Sequence, residues 1–394
     1  MKKIISHIIG MSLGALAILP AFSDKIPIFN IEGTVTSTWN LDIPIMVNTF
    51  SWVYLVMFIG LLCIYLWNTN LNPVLKIGAS YMYVACFFAA APYLSFNAML
   101  MMIPAIYLFL LIQNMVDKEI IIDWIVALFW FEVLICVMQF LGKDKLLNFD
   151  RPQRIFLGSI MQHMRSGSLF AIIAPFLLLR NKLYIIPLVL VAFGVYSSGF
   201  ALALAAGGFV YFMISNIKIR NKIIAMSTFL MFAIIHSIYN FTSFQVAFSV
   251  GRIPCWKKIW MTGFGVVYNN EIMLLKIDYA QSFIQVLKGW GLNHFMYLYP
   301  VAIGDANPFA QAHNDWLQIF WELGIIGLTL VVLYYIGLVH RLYKSGKYIW
   351  IAGLTIISVN MIFAFPLYMP PQTPLLILTF FALCERELKK EEQK

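Results

Sequence analysis

A histidine stands at position 313, where the chain changes character. The stretch "QAHNDWLQIFWELGIIGL" (311–328) starts polar and becomes apolar within a few residues. His313, Asn314 and Asp315 therefore sit at the mouth of an expected helix, with Asn314 or Asp315 available to cap it. The positive end of the helix dipole favours a neutral imidazole there. A neutral imidazole at an entrance from water suits a general base or a ligand-binding group. Upstream, in "FSVGRIPCWKKIW", Arg252, Trp256 and Trp260 recur at i, i+4 and i+8 and would share one helical face. Anchoring at a membrane interface accounts for the tryptophans. It accounts less well for Arg252, whose guanidinium is matched to phosphate oxygens. Lys257 and Lys258 add charge beside it. Glu322 would lie about 13 Å along the helix at 1.5 Å per residue, in an apolar zone. An ionisable residue there is functional or a structural lock.

Further charged groups lie in "GKDKLLNFDRPQRIFLG" (142–158), which contributes Lys143, Lys145, Arg151 and Arg154. Arg165 follows in "GSIMQHMRSGSLF", and His163 is close enough to share a site with it. Glu132, in the apolar "FWFEVLICV", is a candidate partner for Arg154 or Arg165. In "YAQSFIQVLKGWGLNHF" a short amphipathic helix would end at Gly289, with "GWG" forming a turn. Metal-ligand spacing, nucleotide-binding loops and hydrolase elbows do not occur. The five cysteines form neither a disulfide framework nor a CxxC pair. Chemistry here would need neither metal nor nucleotide cofactor, only a donor that arrives activated.

The elements that must position these groups are membrane helices. Hydrophobic residues make up 61% of the 394 and charged residues 11%, against roughly 25% charged in a soluble domain. Apolar runs of about 20 residues recur, each long enough to cross a bilayer as a helix. They lack the two-residue alternation of barrel strands. The expected fold is an all-α integral membrane protein, a single polytopic domain over 1–394. About twelve spans lie near 4–22, 46–67, 78–95, 97–115, 120–141, 160–179, 183–198, 199–216, 223–242, 316–339, 348–365 and 372–384. The first could instead be a cleaved signal peptide; retention is the reading adopted. The net charge of +9 does not point to nucleic acid, because it is split into short clusters between spans. "DKE" (117–119), "RNK" (180–182), "KIRNK" (218–222), "HRLYKSGK" (340–347) and the tail occupy every second connection. The positive-inside rule puts these, and both termini, in the cytoplasm. One large extracytoplasmic loop, 243–315, then joins spans nine and ten, and a connection of that length is usually functional. It carries Arg252, Lys257, Lys258, Lys276 and Lys288 against the usual bias. The arginines outside are assigned to an anionic ligand; for the lysines, contact with anionic lipid headgroups is an equal reading.

These features together resemble the O-antigen ligase and polymerase superfamily. "HNDWLQIFWELGIIG" is similar to the family's histidine motif, HNxxLxxxxExGxxG. "GRIPCWKKIW" and "GWGLNHF" resemble the arginine and glycine-rich ends of its loop, and "RIFLGSIMQHMRSGSLFAIIAPFLLL" its span of glycine and small residues. The resemblance covers the whole topology. It implies an enzyme of the bacterial inner membrane, with its active site facing the periplasm. That enzyme would transfer a glycan from undecaprenyl diphosphate to an acceptor hydroxyl, without nucleotide or metal. His313 would take the acceptor's proton and Arg252 would bind the diphosphate. Arg154, Arg165, His163, Asn314, Glu322 and Lys257 would line the substrate site. The ligase reading has lipid A–core as acceptor. A polymerase would use a second lipid-linked repeat unit, and a transporter would only move the lipid-linked glycan. One departure stands out. Where the family carries a serine–arginine–glycine turn between spans seven and eight, this chain reads "VYSSGF", with Ser198 in place of the arginine.

Overall fold

The computed structural model describes residues 2–18, 49–67, 69–89, 92–142, 163–195, 197–239, 252–263, 279–295, 312–368 and 372–392. Among them every long element is an α-helix and no strand occurs. In chain order these are α1 (Lys2–Ile18), α2 (Thr49–Trp67), α3 (Pro73–Phe87), α4 (Pro92–Met115), α5 (Lys118–Phe140), α6 (His163–Arg180) and α7 (Ile185–Val195). They continue as α8 (Ser198–Ile214), α9 (Ile219–Tyr239), α10 (Ile253–Gly263), α11 (Tyr279–Lys288), α12 (Asp315–Lys344), α13 (Tyr348–Phe363) and α14 (Gln372–Glu392). A helix occupies each of the twelve places where a span is expected. Four stretches are long and apolar enough to cross a membrane: Ala98–Met115, Lys118–Phe140, Ile219–Tyr239 and Asp315–Lys344. The protein is thus an all-helical chain with the makings of a multi-pass membrane protein. α10 and α11 are the short helices within 243–315.

The helices group into two compact units interleaved along the chain: 1–39, 107–245 and 339–394 form the first, 40–106 and 246–338 the second. In the first unit α6, α8 and α13 are mutually packed. The approach is close: a Cβ on Gly207 would come within 2.4 Å of Ile356. α9 packs on α8 yet exposes Ile219 (72%), Leu230 (60%) and Ile238 (68%). A helix that is apolar on both its packed and its open faces belongs in lipid.

The basic connections meet at one end of this unit. Glu387 of α14 accepts from Lys118 Nζ at 3.0 Å and from Lys347 Nζ at 3.2 Å. Arg341 makes a two-pronged pair with Glu385, at 2.9 and 2.5 Å. Arg180 reaches Glu119 and Asp123 at 3.2 and 3.1 Å. Lys182 donates to Tyr211 Oη at 2.8 Å, and the Asp117 N–H donates to Ser6 Oγ at 2.7 Å. Connections that the charge pattern puts on one side of a membrane are therefore bonded to one another.

Burial alone would raise the Glu387 carboxyl, but the hydrogen bonds and charges of Lys118 and Lys347 outweigh it and hold its pKa below the ordinary value. A depressed carboxylate stabilises above its unfolded pKa, about 4.3, and that stability is lost as pH falls through the lower folded value. Thermal unfolding in detergent should accordingly show a drop in Tm on acidification from pH 7 to below 4. In Glu387→Gln the Tm at pH 7 should be lower and the acid-induced drop smaller. An acid-induced drop of the same size in the variant would remove Glu387 as its source.

Candidate functional site

The site is built in the second unit where α12 begins. Asn314 is the cap: its Oδ1 accepts from the Leu317 N–H at 3.0 Å, and the Gln318 N–H reaches the Asn314 carbonyl at 3.0 Å. Asp315 is the first helical residue and is buried. His313 stands just before the cap with φ 51°, in the left-handed region that a residue with a Cβ seldom adopts. Such a conformation costs on the order of 1–3 kcal/mol and persists where the surroundings over-determine it. They do so here. The Ala312 N–H donates to Gln318 Oε1 at 3.0 Å, and the Ala312 carbonyl accepts from Trp256 Nε1 at 3.0 Å. The histidine itself is half-buried.

α12 is broken two turns further on. Gly324 has φ 66° and ψ −171°, outside any helix, so the carbonyls before it are released. Trp290 N–H takes the Trp321 carbonyl at 3.0 Å, Gly291 N–H takes that of Glu322 at 2.9 Å, and the Tyr81 hydroxyl takes that of Leu323 at 2.7 Å. The "GWG" turn that ends α11 at Gly289 lies across this break. A Cβ on Gly289 would be 2.3 Å from the Glu322 carbonyl oxygen, and one on Gly324 would be 2.3 Å from that of Leu287. A glycine in an apolar helix ordinarily serves close helix packing. Gly324 instead breaks α12 and lets a loop backbone bond to it.

Glu322 is 1% exposed. Its Oε2 accepts from the Asn293 N–H at 3.0 Å and its Oε1 from Gln318 Nε2 at 3.3 Å. Both carboxylate oxygens accept from protein donors, so the side chain serves as a structural lock between α12 and the turn at Asn293. Beneath it lies a clasp centred on Thr262. Its carbonyl accepts from Trp290 Nε1 and its hydroxyl oxygen from Trp321 Nε1, both at 3.1 Å. The two indoles stack with centroids 5.5 Å apart, and Ile259, Phe295 and Ala312 complete the buried cluster. His294, the neighbouring histidine, is buried with Nδ1 2.9 Å from the Leu292 carbonyl; its role is to shape the turn.

Arg252 immediately precedes α10 and is half-buried; burial pushes its pKa down from the ordinary value. A guanidinium stays charged under such a shift, so Arg252 is a partly dehydrated cation. It lies one helical turn, about 5.4 Å, from Trp256, which is bonded to the residue preceding His313. α10 and the start of α12 also border a shallow apolar groove of about 490 Å³. Trp256, Trp260, Trp316 and Phe320 form its walls, and Lys257 and Asn314 also line it. Burial lowers the pKa of Lys288 at the end of α11, where its ammonium donates to the Phe88 carbonyl.

Five of the residues singled out in the sequence, His313, Arg252, Lys257, Asn314 and Glu322, thus fall in segments bonded together in one unit. Arg154 lies outside the described residues. His163 and Arg165 occupy the first turn of α6, in the other unit. At the start of α8, Ser197 caps the helix by accepting from the Phe200 N–H at 3.4 Å, and the Ser198 hydroxyl is buried with no hydrogen-bond partner among the described residues. No group of three His, Cys, Asp or Glu side chains able to hold a metal occurs among the described residues. Thr262 and Gln318 carried no signal in the sequence: a lone threonine or glutamine belongs to no motif. Trp290 was visible only as part of a turn, and Trp321 only as part of an apolar run. No protein-family model matches the chain, and neither does any curated protein or solved structure.

Proposed function

We propose that this chain is a membrane glycan transferase, an O-antigen ligase of the bacterial inner membrane. It moves a glycan from undecaprenyl diphosphate to a hydroxyl of lipid A–core. The observation that carries the reading is the left-handed His313 turn, held at a helix mouth and bonded through Trp256 to the helix that follows Arg252. In this reading the chain crosses the bilayer about twelve times, and the bonded basic connections of the first unit face the cytoplasm. The loop with His313 and Arg252 then faces the periplasm.

In this reaction the acceptor oxygen attacks the anomeric carbon as its proton passes to His313. The bond from that carbon to the diphosphate oxygen breaks, and undecaprenyl diphosphate leaves carrying the electron pair. Arg252 faces the growing phosphate charge, where a preorganised cation is worth most. The groove beside Trp260 and Phe320 takes apolar chain of a lipid-linked reactant, and Lys257 its anionic end. The diphosphate leaving group supplies the driving force, so the mechanism uses no metal or nucleotide.

The test is a transfer assay with purified wild type, labelled undecaprenyl-diphosphate glycan, and either lipid A–core or a second lipid-linked repeat unit. Label on lipid A–core is the expected result. Lengthening of the lipid-linked glycan alone would replace the ligase by a polymerase. Movement of the donor across a reconstituted bilayer with neither acceptor modified would make the protein a transporter.

A further inference from the structure

Three bonds link the histidine turn to the second loop end through two side chains of α12. The Ala312 N–H donates to Gln318 Oε1, Gln318 Nε2 donates to Glu322 Oε1, and the Asn293 N–H donates to Glu322 Oε2. Both side chains are buried, at 1% exposure each. The order of donors and acceptors along this relay is fixed by its ends. Each end is a backbone N–H, which can only donate, so the two side chains between them must together accept twice and donate once to each other. A carboxylate and a carboxamide meet that requirement. Two carboxamides would set an NH₂ group against a donor somewhere along the line.

We propose that Gln318 and Glu322 are the positioning residues of this site, holding Ala312 so that His313 keeps its left-handed backbone and its imidazole stays aimed at the acceptor. This rests on the transferase reading given above. The geometry supports it from both sides of the histidine. Ala312 is bonded through its N–H and its carbonyl, and Asn314 is bonded through its side chain, so His313 is the residue between two clamps. Glu322 also ties the relay to Asn293, and its carbonyl takes the Gly291 N–H. The histidine turn and the turn at 291–293 are thereby set relative to each other through Gln318 and Glu322.

The relay makes a distinctive demand: its polarity can be reversed. In Glu322→Gln the new NH₂ faces either the Asn293 N–H or the Gln318 NH₂, and one bond is lost. In the double variant Gln318→Glu, Glu322→Gln the carboxylate at 318 accepts from Ala312 and from the carboxamide at 322, whose oxygen accepts from Asn293. All three bonds return. A displacement near 1 Å at a catalytic group costs about 100-fold, so Glu322→Gln should lose about that in kcat with little change in KM for the lipid-linked donor. The double variant should recover to within about tenfold of wild type. In a His313→Ala background, Glu322→Gln should cost less than about threefold more, because residues that act through one group are not additive. Amide hydrogen exchange over 291–295 and 311–315 provides a readout independent of turnover: the Asn293 and Ala312 amides should both be protected in wild type and in the double variant. In Glu322→Gln protection should fall at Asn293, where the bond is lost directly, or at Ala312, where Gln318 is released from its partner.

Full activity in Glu322→Gln would overturn the proposal, as would a double variant no better than the single one. So would a full additive loss on top of His313→Ala. Wild type that transfers no glycan while exchange follows the expected pattern would sink the transferase reading, leaving the relay as an architectural lock alone.

Discussion

His313→Ala should lower glycan transfer by about 10²–10⁴-fold, the usual contribution of a positioned general base, with donor binding nearly unchanged. A sugar hydroxyl is a poor nucleophile while it keeps its proton, and in the proposed reaction His313, at the helix mouth, receives it. The backbone sharpens the prediction. With φ at 51°, an alanine at 313 is strained as the histidine is, whereas a glycine is not. His313→Gly should therefore lose as much activity as His313→Ala while being the more stable of the two by up to about 1 kcal/mol. Transfer rates with thermal unfolding for the three proteins test both halves. A His313→Gly protein that is inactive yet more stable than wild type would mark the histidine as a residue kept at a cost to folding. Retained transfer in either variant would remove His313 from the chemistry.

Gly324→Ala should abolish the site from a distance. Its backbone, at φ 66° and ψ −171°, belongs to a region open essentially to glycine alone. A Cβ there would also be 2.3 Å from the Leu287 carbonyl oxygen and 2.5 Å from the Gly289 nitrogen, and backbone cannot rotate out of the way as a side chain can. Steric overlap and strain together should cost more than about 3 kcal/mol, enough to free "GWG" from α12. The bonds to the Trp321 and Glu322 carbonyls would go, and with them the Trp290–Trp321 stack. Transfer should fall to the level of His313→Ala, and limited proteolysis should cut near Lys288, a site that is half-buried in wild type. Gly289→Ala should behave alike, since the clash is reciprocal. Gly337, further along the same helix, has nothing within 4 Å of a built Cβ, so Gly337→Ala should leave transfer and stability nearly as they are. Equal behaviour of Gly324→Ala and Gly337→Ala would show that the break in α12 has no part in shaping the site.

The residues themselves announce a good part of this. Composition and run length imply helices, and a helix stands at each expected span, because apolar runs near 20 residues have few other ways to satisfy their backbone in lipid. The short helix ending at Gly289 and the cap at Asn314 are local effects of neighbouring residues, legible without a fold. Charge alternation foretold that Lys118, Arg180, Arg341 and the tail would share an end, and their ion pairs do. The site's inner construction was not legible. Glu322 shows in sequence only as an acid in an apolar run; that it locks a loop appears from the Asn293 and Gln318 donors on its two oxygens. Gly324 is one glycine in an apolar run until the "GWG" backbone is seen lying across it. Thr262 becomes a clasp only because two indoles from residues 290 and 321 converge on it. Helical periodicity and capping act over three or four residues, so a sequence displays them directly. The bonds that hold His313 in place join segments separated by up to 56 positions in the chain, and only folding brings those segments together.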